Sequence, residues 1–220
     1  MVAIAIDGPS GAGKSTIAKL LAKELGFIYL DTGAIYRTVG LYVFRKNIDP
    51  ADEAQIVSVL PELNIELTYK DGVQCMFLNG EDVSKAIREH IISSYASKVS
   101  AHPAVRAFLL ETQRDYAKKN NVIMDGRDIG TVVLPNATIK IFLTASSEDR
   151  AQRRFDELRE KGQDVEFDTV LSDIKERDFN DSNRAAAPLK AADDAIVVDT
   201  SGNTLEQSVE LLRNIIKERL

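Results

Sequence analysis

The sequence predicts the α/β class: a parallel sheet flanked by helices that carries a small β-rich inserted subdomain. Three observations support this. Short, unbroken apolar runs recur along the 220 residues, and each borders a helical pattern, as in sheets covered on both faces. The first run ends in a glycine-rich turn that leads straight into a helix. From about residue 49 to 88 the period changes, with apolar and polar residues alternating around turn signals, which is the pattern of an antiparallel hairpin.

Taken in order, Val2 to Ile6 is apolar throughout and stops at Asp7-Gly8-Pro9, so it reads as a strand buried on both faces. Lys14 to Leu25 follows as a helix, with Ile17, Leu21 and Leu25 four apart and Gly26 at the C′ position. Phe27 to Leu30 is the next strand, and Asp31 or Thr32 caps the helix after it. Leu63, Ile65, Leu67 and Tyr69 alternate with polar partners, Asp71-Gly72 supplies turn chemistry, and Val73, Cys75 and Phe77 resume the alternation. Cys75 and the hairpin aromatics read as core, and Gly80 starts another turn. His102 reads as a turn or cap residue. Pro103 opens a helix to about Lys118, with Val105, Phe108, Leu109 and Tyr116 as its apolar stripe. Val122 to Met124, Ile139 to Leu143 and Ala195 to Val198 supply the remaining strands, and further helices start near Ser146 and Asp168.

A chain of this length with 44% hydrophobic residues suits one buried core with a small insert. Lys and Arg number 28 against 34 Asp and Glu, a formal charge of -6, which argues against a broad nucleic-acid surface and leaves local arginine pockets for any polyanion. One cysteine and two histidines exclude a disulfide framework and a Cys/His zinc cluster. The amino terminus lacks a basic segment before its short apolar run, and no apolar stretch reaches spanning length. The expectation is a soluble cytoplasmic protein with no membrane or nucleic-acid partner.

Gly8-Pro9-Ser10-Gly11-Ala12-Gly13-Lys14-Ser15 fits G-x-x-x-x-G-K-[ST] between a strand and a helix, the context a phosphate-binding P-loop requires. Its glycines let successive N–H groups converge on phosphate oxygens, Lys14 reaches the outer phosphates, and Ser15 meets Mg²⁺ or its water shell. Thr16 completes the ATP-binding set. Arg37, one turn inside the second helix, can reach an anion near the helix start or point to solvent. Val122-Ile123-Met124-Asp125 is a strand ending in an acid, the Walker-B type of signal. Its continuation, Gly126-Arg127-Asp128-Ile129-Gly130, is either a ligand-binding turn at a strand's carboxyl end or a charged turn. Arg150, Arg153 and Arg154 share a helix. Arg150 and Arg154, like charges four apart, suit an anion between them, whereas Glu157 four from Arg153 suits a solvated face. Arg177, Asp181 and Arg184 fall on one face if their helix persists.

Gly8 to Ser15, Asp31 to Arg37, Asp125 to Gly130, and Lys175 to Asp178 through Asn183 to Leu189 together resemble the bacterial cytidylate kinases in their long form, nearly end to end. That resemblance implies a P-loop NTPase-type sheet with core 1–36 and 104–220, a monophosphate-binding insert at about 37–103 and a short helical lid at about 150–166. It implies transfer of the ATP γ-phosphoryl to CMP or dCMP with Mg²⁺ by a monomer. Lys14, Arg127, Arg153, Arg154 and Arg177 would be catalytic, with Arg153 and Arg154 in the lid. Arg37 and Arg127 would hold the acceptor phosphate. Thr32, Arg106, Asp128 and Arg184 would read the cytosine, and Thr32 stands where a serine is also usual. Tyr36, Ser97, Arg177 and Asp181 would complete the substrate contacts. The alternatives are another small-molecule P-loop kinase or a nucleotide-binding switch, the latter lacking an Asn-Lys-x-Asp guanine-reading run.

Overall fold

In chain order the molecule runs β1 (Ala3–Asp7), α1 (Lys14–Leu25), β2 (Ile28–Asp31), α2 (Thr32–Arg45), α3 (Glu53–Val59), β3 (Ile65–Lys70), β4 (Val73–Leu78), β5 (Glu81–Asp82) and α4 (His90–Val99). It continues with α5 (Pro103–Lys119), β6 (Val122–Gly126), β7 (Ile139–Thr144), α6 (Ser147–Glu160), α7 (Phe167–Asn183), β8 (Ile196–Asp199) and α8 (Leu205–Lys217). The structure is a computed structural model that describes residues 1–160 and 162–220; position 161, inside the expected lid, lies outside the described residues. The main sheet has the order β2-β6-β1-β7-β8, with every pairing parallel. A second, antiparallel sheet has the order β3-β4-β5. Among the described residues no helix is long and apolar enough to cross a membrane.

The apolar runs mark the strands because the sheet is buried on both faces. Ala5, Leu30, Val122 and Met124 pack into one core with α2, α5 and the hairpin, while Ile4, Ile6 and Ile123 pack into another with Ile17 and Leu21 of α1 and Leu212 and Ile216 of α8. Each fully buried Val, Leu, Ile or Met among them contributes about 1.5–3 kcal/mol. β1, β2 and β8 all run one residue beyond the apolar run and end on Asp7, Asp31 and Asp199. The ladder continues past the last apolar residue, so the strand ends present carboxylates. At Gly8, where φ is 148°, an added Cβ would lie 1.9 Å from the Leu143 carbonyl oxygen, so only glycine lets β1 leave the sheet beside β7.

The hairpin turn takes φ of 52° at Asp71 and 75° at Gly72, with Lys70 opposite Val73, the mirror-image turn that matches strand twist. Its core face differs from the expected one. Met76 and Leu78 are buried, 1% and 4% exposed, whereas Val73 is 63% exposed and Cys75 and Phe77 are half-buried. The register explains the exchange: Met76 lies opposite Leu67 and Leu78 opposite Ile65, so those four share the face that meets the core. Gln74, on the same face, accepts from Asp31 N–H (2.8 Å) through Oε1 and donates to Asp31 C=O (3.2 Å) through Nε2. Tyr69 donates to the Tyr29 carbonyl at 2.9 Å, and Tyr116 of α5 donates to that of Leu67 at 2.5 Å. Gln74→Ala should cost about 1–3 kcal/mol by stranding a buried amide, read as a drop of a few degrees in Tm; an unchanged Tm would show the tether contributes nothing.

In α5 the buried positions are Val105, Arg106, Leu109, Gln113 and Ala117. Phe108 is exposed rather than part of the stripe, because the buried series steps by four from Val105. His102 takes the N-cap position without a side-chain cap bond, and its Nε2 lies 2.9 Å from the Pro50 carbonyl oxygen.

Candidate active site

The glycine-rich loop connects β1 to α1, and left-handed Gly13 (φ 87°) ends it at the helix amino terminus. Lys14 is buried, and its Nζ donates to the Pro9 carbonyl at 2.6 Å. Burial, followed by the nearby Arg127 charge, holds its pKa well below the ordinary lysine range, with Asp125 and Asp7 opposing. A loop carbonyl is secured from α6, where Arg150 donates to Ser10 C=O (3.0 Å) and forms a two-pronged ion pair with Asp178 of α7 (3.0 and 2.6 Å). Arg150 is therefore a brace, contrary to the expected anion between Arg150 and Arg154. Arg154 pairs with Glu157 at 2.8 Å, so the expected Glu157–Arg153 partnership is not the observed one. Arg153 donates to the Thr200 carbonyl at 3.0 Å, and a Cβ added at Gly13 would lie 3.9 Å from its guanidinium. Thr16 is exposed on the first turn of α1.

Asp125, buried at the end of β6, ties three elements together. Ser15 donates to its Oδ2 at 2.7 Å, Tyr29 of β2 donates to its Oδ1 at 2.8 Å, and Thr32 donates to its carbonyl at 2.7 Å. Burial raises its pKa, Asp31 adds to the rise, and Lys14 and the two hydroxyls oppose it. The Ser15 hydroxyl and the Asp125 carboxylate form a pair of hard oxygen donors beside the phosphate loop. Among the described residues no group of three or more His, Cys, Asp or Glu is arranged to hold a metal. That donor set fits Mg²⁺, which takes one or two protein oxygens and fills its remaining positions from phosphates and water.

Asp31 is the N-cap of α2, accepting from Ala34 N–H at 2.9 Å, and it also holds Arg37 at 2.8 Å and Arg88 at 3.7 Å. Burial opposes its ionisation, but the two arginines and the cap bond together keep its carboxyl below the usual range. The turn after β6 carries Arg127, paired with Asp181 of α7 at 2.9 Å, and Asp128, paired with Arg106 of α5. Arg106 also donates to the Ser100 carbonyl (3.0 Å) and lies over the Tyr36 ring, 5.4 Å from its centroid. Ser97, one turn earlier on α4, accepts from the Ser100 hydroxyl through its carbonyl at 2.8 Å. α7 persists to Asn183, so Arg177 and Asp181 share its face with the cap residue Arg184, which lies 3.9 Å from Asp181 and donates to the Ala187 carbonyl at 2.8 Å. Asp181 is buried, so this group is not a surface ladder.

The electrostatics are lopsided. Burial and then the charge of Arg127 pull Arg177 down to about 10, Arg37 and Arg154 add to the fall, and Asp181 opposes it. Arginines from α2, the β6 turn, α6 and α7 thus crowd one region in the protein alone. Among the described residues, Arg37 Nε, Arg177 Nε and one terminal nitrogen of Arg184 are buried donors without a protein acceptor. Unsatisfied buried donors cost about 1–3 kcal/mol each, and packed like charges add to that. A polyanion bound among them would relieve both.

The expected residues Lys14, Ser15, Thr32, Tyr36, Arg37, Arg106, Arg127, Asp128, Arg177, Asp181 and Arg184 are thus linked by direct contact or near charges. Sequence reasoning missed the roles of Tyr29, Asp7 and the Arg150–Asp178 pair. Tyr29 meets Asp125 only across the β2–β6 pairing, and Asp178 is 28 residues from its partner.

Comparison with known proteins gives the family of the chain. A family model described as cytidylate kinase matches residues 4–218. A cytidylate kinase of Caldicellulosiruptor bescii is 52% identical over 221 residues, covering 99% of this chain and 98% of its own. Another, from Caldicellulosiruptor saccharolyticus, is 53% identical over 207 residues, 94% of this chain and 92% of its own. Among solved structures, an uncharacterized protein from Eubacterium ventriosum superposes with a TM-score of 0.56 at 13% identity, over 100% of both chains, a likeness of fold.

Proposed function

The chain belongs to the cytidylate kinase family and is a phosphotransferase with cytidylate kinase activity, and from that premise we propose which of its side chains carry the reaction. It uses ATP, as its family does, and its acceptor is CMP or dCMP. An oxygen of the acceptor's phosphate forms a bond to the γ-phosphorus as the bond from that phosphorus to the β-phosphate oxygen breaks, leaving ADP. The attacking group is already a phosphate oxygen, so positioning and charge stabilisation supply most of the catalysis. The observation that carries this reading is the crowding of Arg37, Arg127, Arg154 and Arg177 around one region, with Arg177 lowered to about 10.

Lys14 and the loop amides hold the donor phosphates, and the β/γ charge reverses the depression of the Lys14 pKa. Ser15 and Asp125 would hold Mg²⁺, which neutralises phosphate charge when bound. Arg37 and Arg127 grip the acceptor phosphate, while Arg177, Arg153 and Arg154 meet the charge between donor and acceptor. Residues 37–103 act as the acceptor-binding segment and about 150–166 as the lid, excluding water from the transfer. Arg106, Asp128, Arg184 and Thr32 read the base, with Tyr36, Ser97 and Asp181 supporting the rest of the acceptor. The chain acts as a monomer. A coupled ADP-release assay across nucleoside monophosphates tests the reading; a hydroxyl-bearing metabolite preferred over every monophosphate would overturn it.

Base choice follows from hydrogen-bond polarity. Arg106 engages Asp128 Oδ2, so we assign Oδ1 to the 4-amino group of cytosine. Uracil would set its O4 against that oxygen, with no proton between them, a mismatch of about 1–3 kcal/mol. Asp128→Asn should therefore lower the ratio of kcat/KM for CMP over UMP by about tenfold or more, mainly through lost CMP activity. An unchanged ratio would remove Asp128 from base recognition.

A further inference from the structure

Asp7 is the last residue of β1, immediately before Gly8 of the phosphate loop. It is buried at 5% exposure, and its two carboxylate oxygens take separate donors: Oδ1 accepts from Ile129 N–H at 2.8 Å and Oδ2 from Gly130 N–H at 2.7 Å. Those amides open the helical turn 129–133 that follows Arg127 and Asp128. A Cβ added at Gly130 would lie 3.4 Å from Oδ2 and 3.1 Å from the Lys140 stem, so the turn is pressed between Asp7 and β7. One side chain therefore joins the loop assigned to the donor to the turn assigned to the acceptor.

We propose that Asp7 is a positioning residue, a carboxylate clamp that fixes the turn bearing Arg127 and Asp128 at a set distance from the phosphate loop. This rests on the reading of that turn as part of the acceptor site. Only an ionised carboxylate offers acceptors to both amides without a proton of its own. Its surroundings resist that state. Burial pushes the carboxyl up to about 6; the two amides pull it down, Asp128 beside the turn pushes it up, and Lys14 on α1 opposes that push. Lys140 of β7 reaches over Gly130 with its stem while its ammonium pairs with Asp194 at 2.8 Å. Protonation near pH 6 turns one of the two oxygens into a hydroxyl, a weaker acceptor, and loosens the hold on one amide of the turn.

The test is Asp7→Asn, which keeps the shape but turns an N–H₂ toward one of the amides. Turnover at saturating ATP and CMP should fall about 10- to 100-fold at pH 8, with a raised KM for CMP and an ATP affinity, measured without acceptor, within about twofold of the parent. Folded Asp7→Asn with parental turnover would overturn the clamp. In the nucleotide-free parent, where no substrate phosphate titrates, the amide resonances of Ile129 and Gly130 should shift together with a midpoint near 6. This readout does not depend on the variant folding, and amides that do not move together anywhere between pH 3.5 and 8 would overturn the clamp by themselves. If these results fail while Arg127→Ala still raises the KM for CMP, the acceptor-site reading stands without the clamp. If Arg127→Ala leaves CMP untouched, it is the acceptor-site reading that falls.

Discussion

Lys14→Ala should lower kcat by about 10²- to 10³-fold while leaving a folded protein, the size of effect seen when one preorganised electrostatic stabiliser is removed. Two features separate function from folding here. Among the described residues the Lys14 ammonium bonds only to the Pro9 carbonyl within its own loop, and that loop is independently braced where Arg150 donates to Ser10 C=O and pairs with Asp178. The buried, repelled ammonium is also costly to the protein alone, so its removal should leave Tm within a few degrees of the parent. Circular dichroism and thermal melting beside a coupled ADP assay make the comparison. A folded variant with near-parental turnover would remove Lys14 from the chemistry.

Arg127→Ala should reduce kcat/KM for CMP by about 10²- to 10³-fold, while ATP affinity measured without acceptor changes by less than about threefold. The side chain pairs with Asp181 at 2.9 Å, and Asp181 keeps Arg184 at 3.9 Å and the charge of Arg177 when Arg127 is gone. The buried carboxylate is therefore not stranded, and the loss falls on the acceptor. Arg37→Ala should behave alike, with a smaller effect, because its contact with Asp31 is shared with Arg88. Arg127→Lys should rescue little, since an ammonium lacks the fork that holds Asp181 and a phosphate together. Equal losses for ATP and CMP would put these arginines on the donor side.

Residues that act through local spacing were legible in the sequence. The loop 8–15 lies within one strand-turn-helix unit, the hairpin turn needed only Asp71-Gly72, and Arg177, Asp181 and Arg184 depended on a single helix reaching Asn183. Contacts made by tertiary closure were not legible. Two runs of alternating residues in β4 were both apolar enough to be core, and only the β3 pairing decided for Met76 and Leu78 over Cys75 and Phe77. Arg150 resembled its neighbours in sequence, yet it is buried against Asp178 whereas Arg153 and Arg154 reach other partners. Asp7 looked like the end of an apolar run, and nothing nearby in sequence announces that residues more than 120 positions later donate to it.

The contacts of Gln74 and Tyr69 also determine how the sheet ends. β2 is an outer strand, Ile-Tyr-Leu-Asp, without the lysine, proline or bulge by which outer strands commonly discourage recruitment of a further chain. Three of its outward peptide groups are taken from within: the Tyr29 carbonyl by a phenol, and both the N–H and the C=O of Asp31 by one carboxamide standing in for a neighbouring peptide. A strand arriving from another molecule would have to displace those contacts before it could extend the ladder there. Protection against self-association at this edge is thus supplied by two side chains of a hairpin some 40 residues downstream.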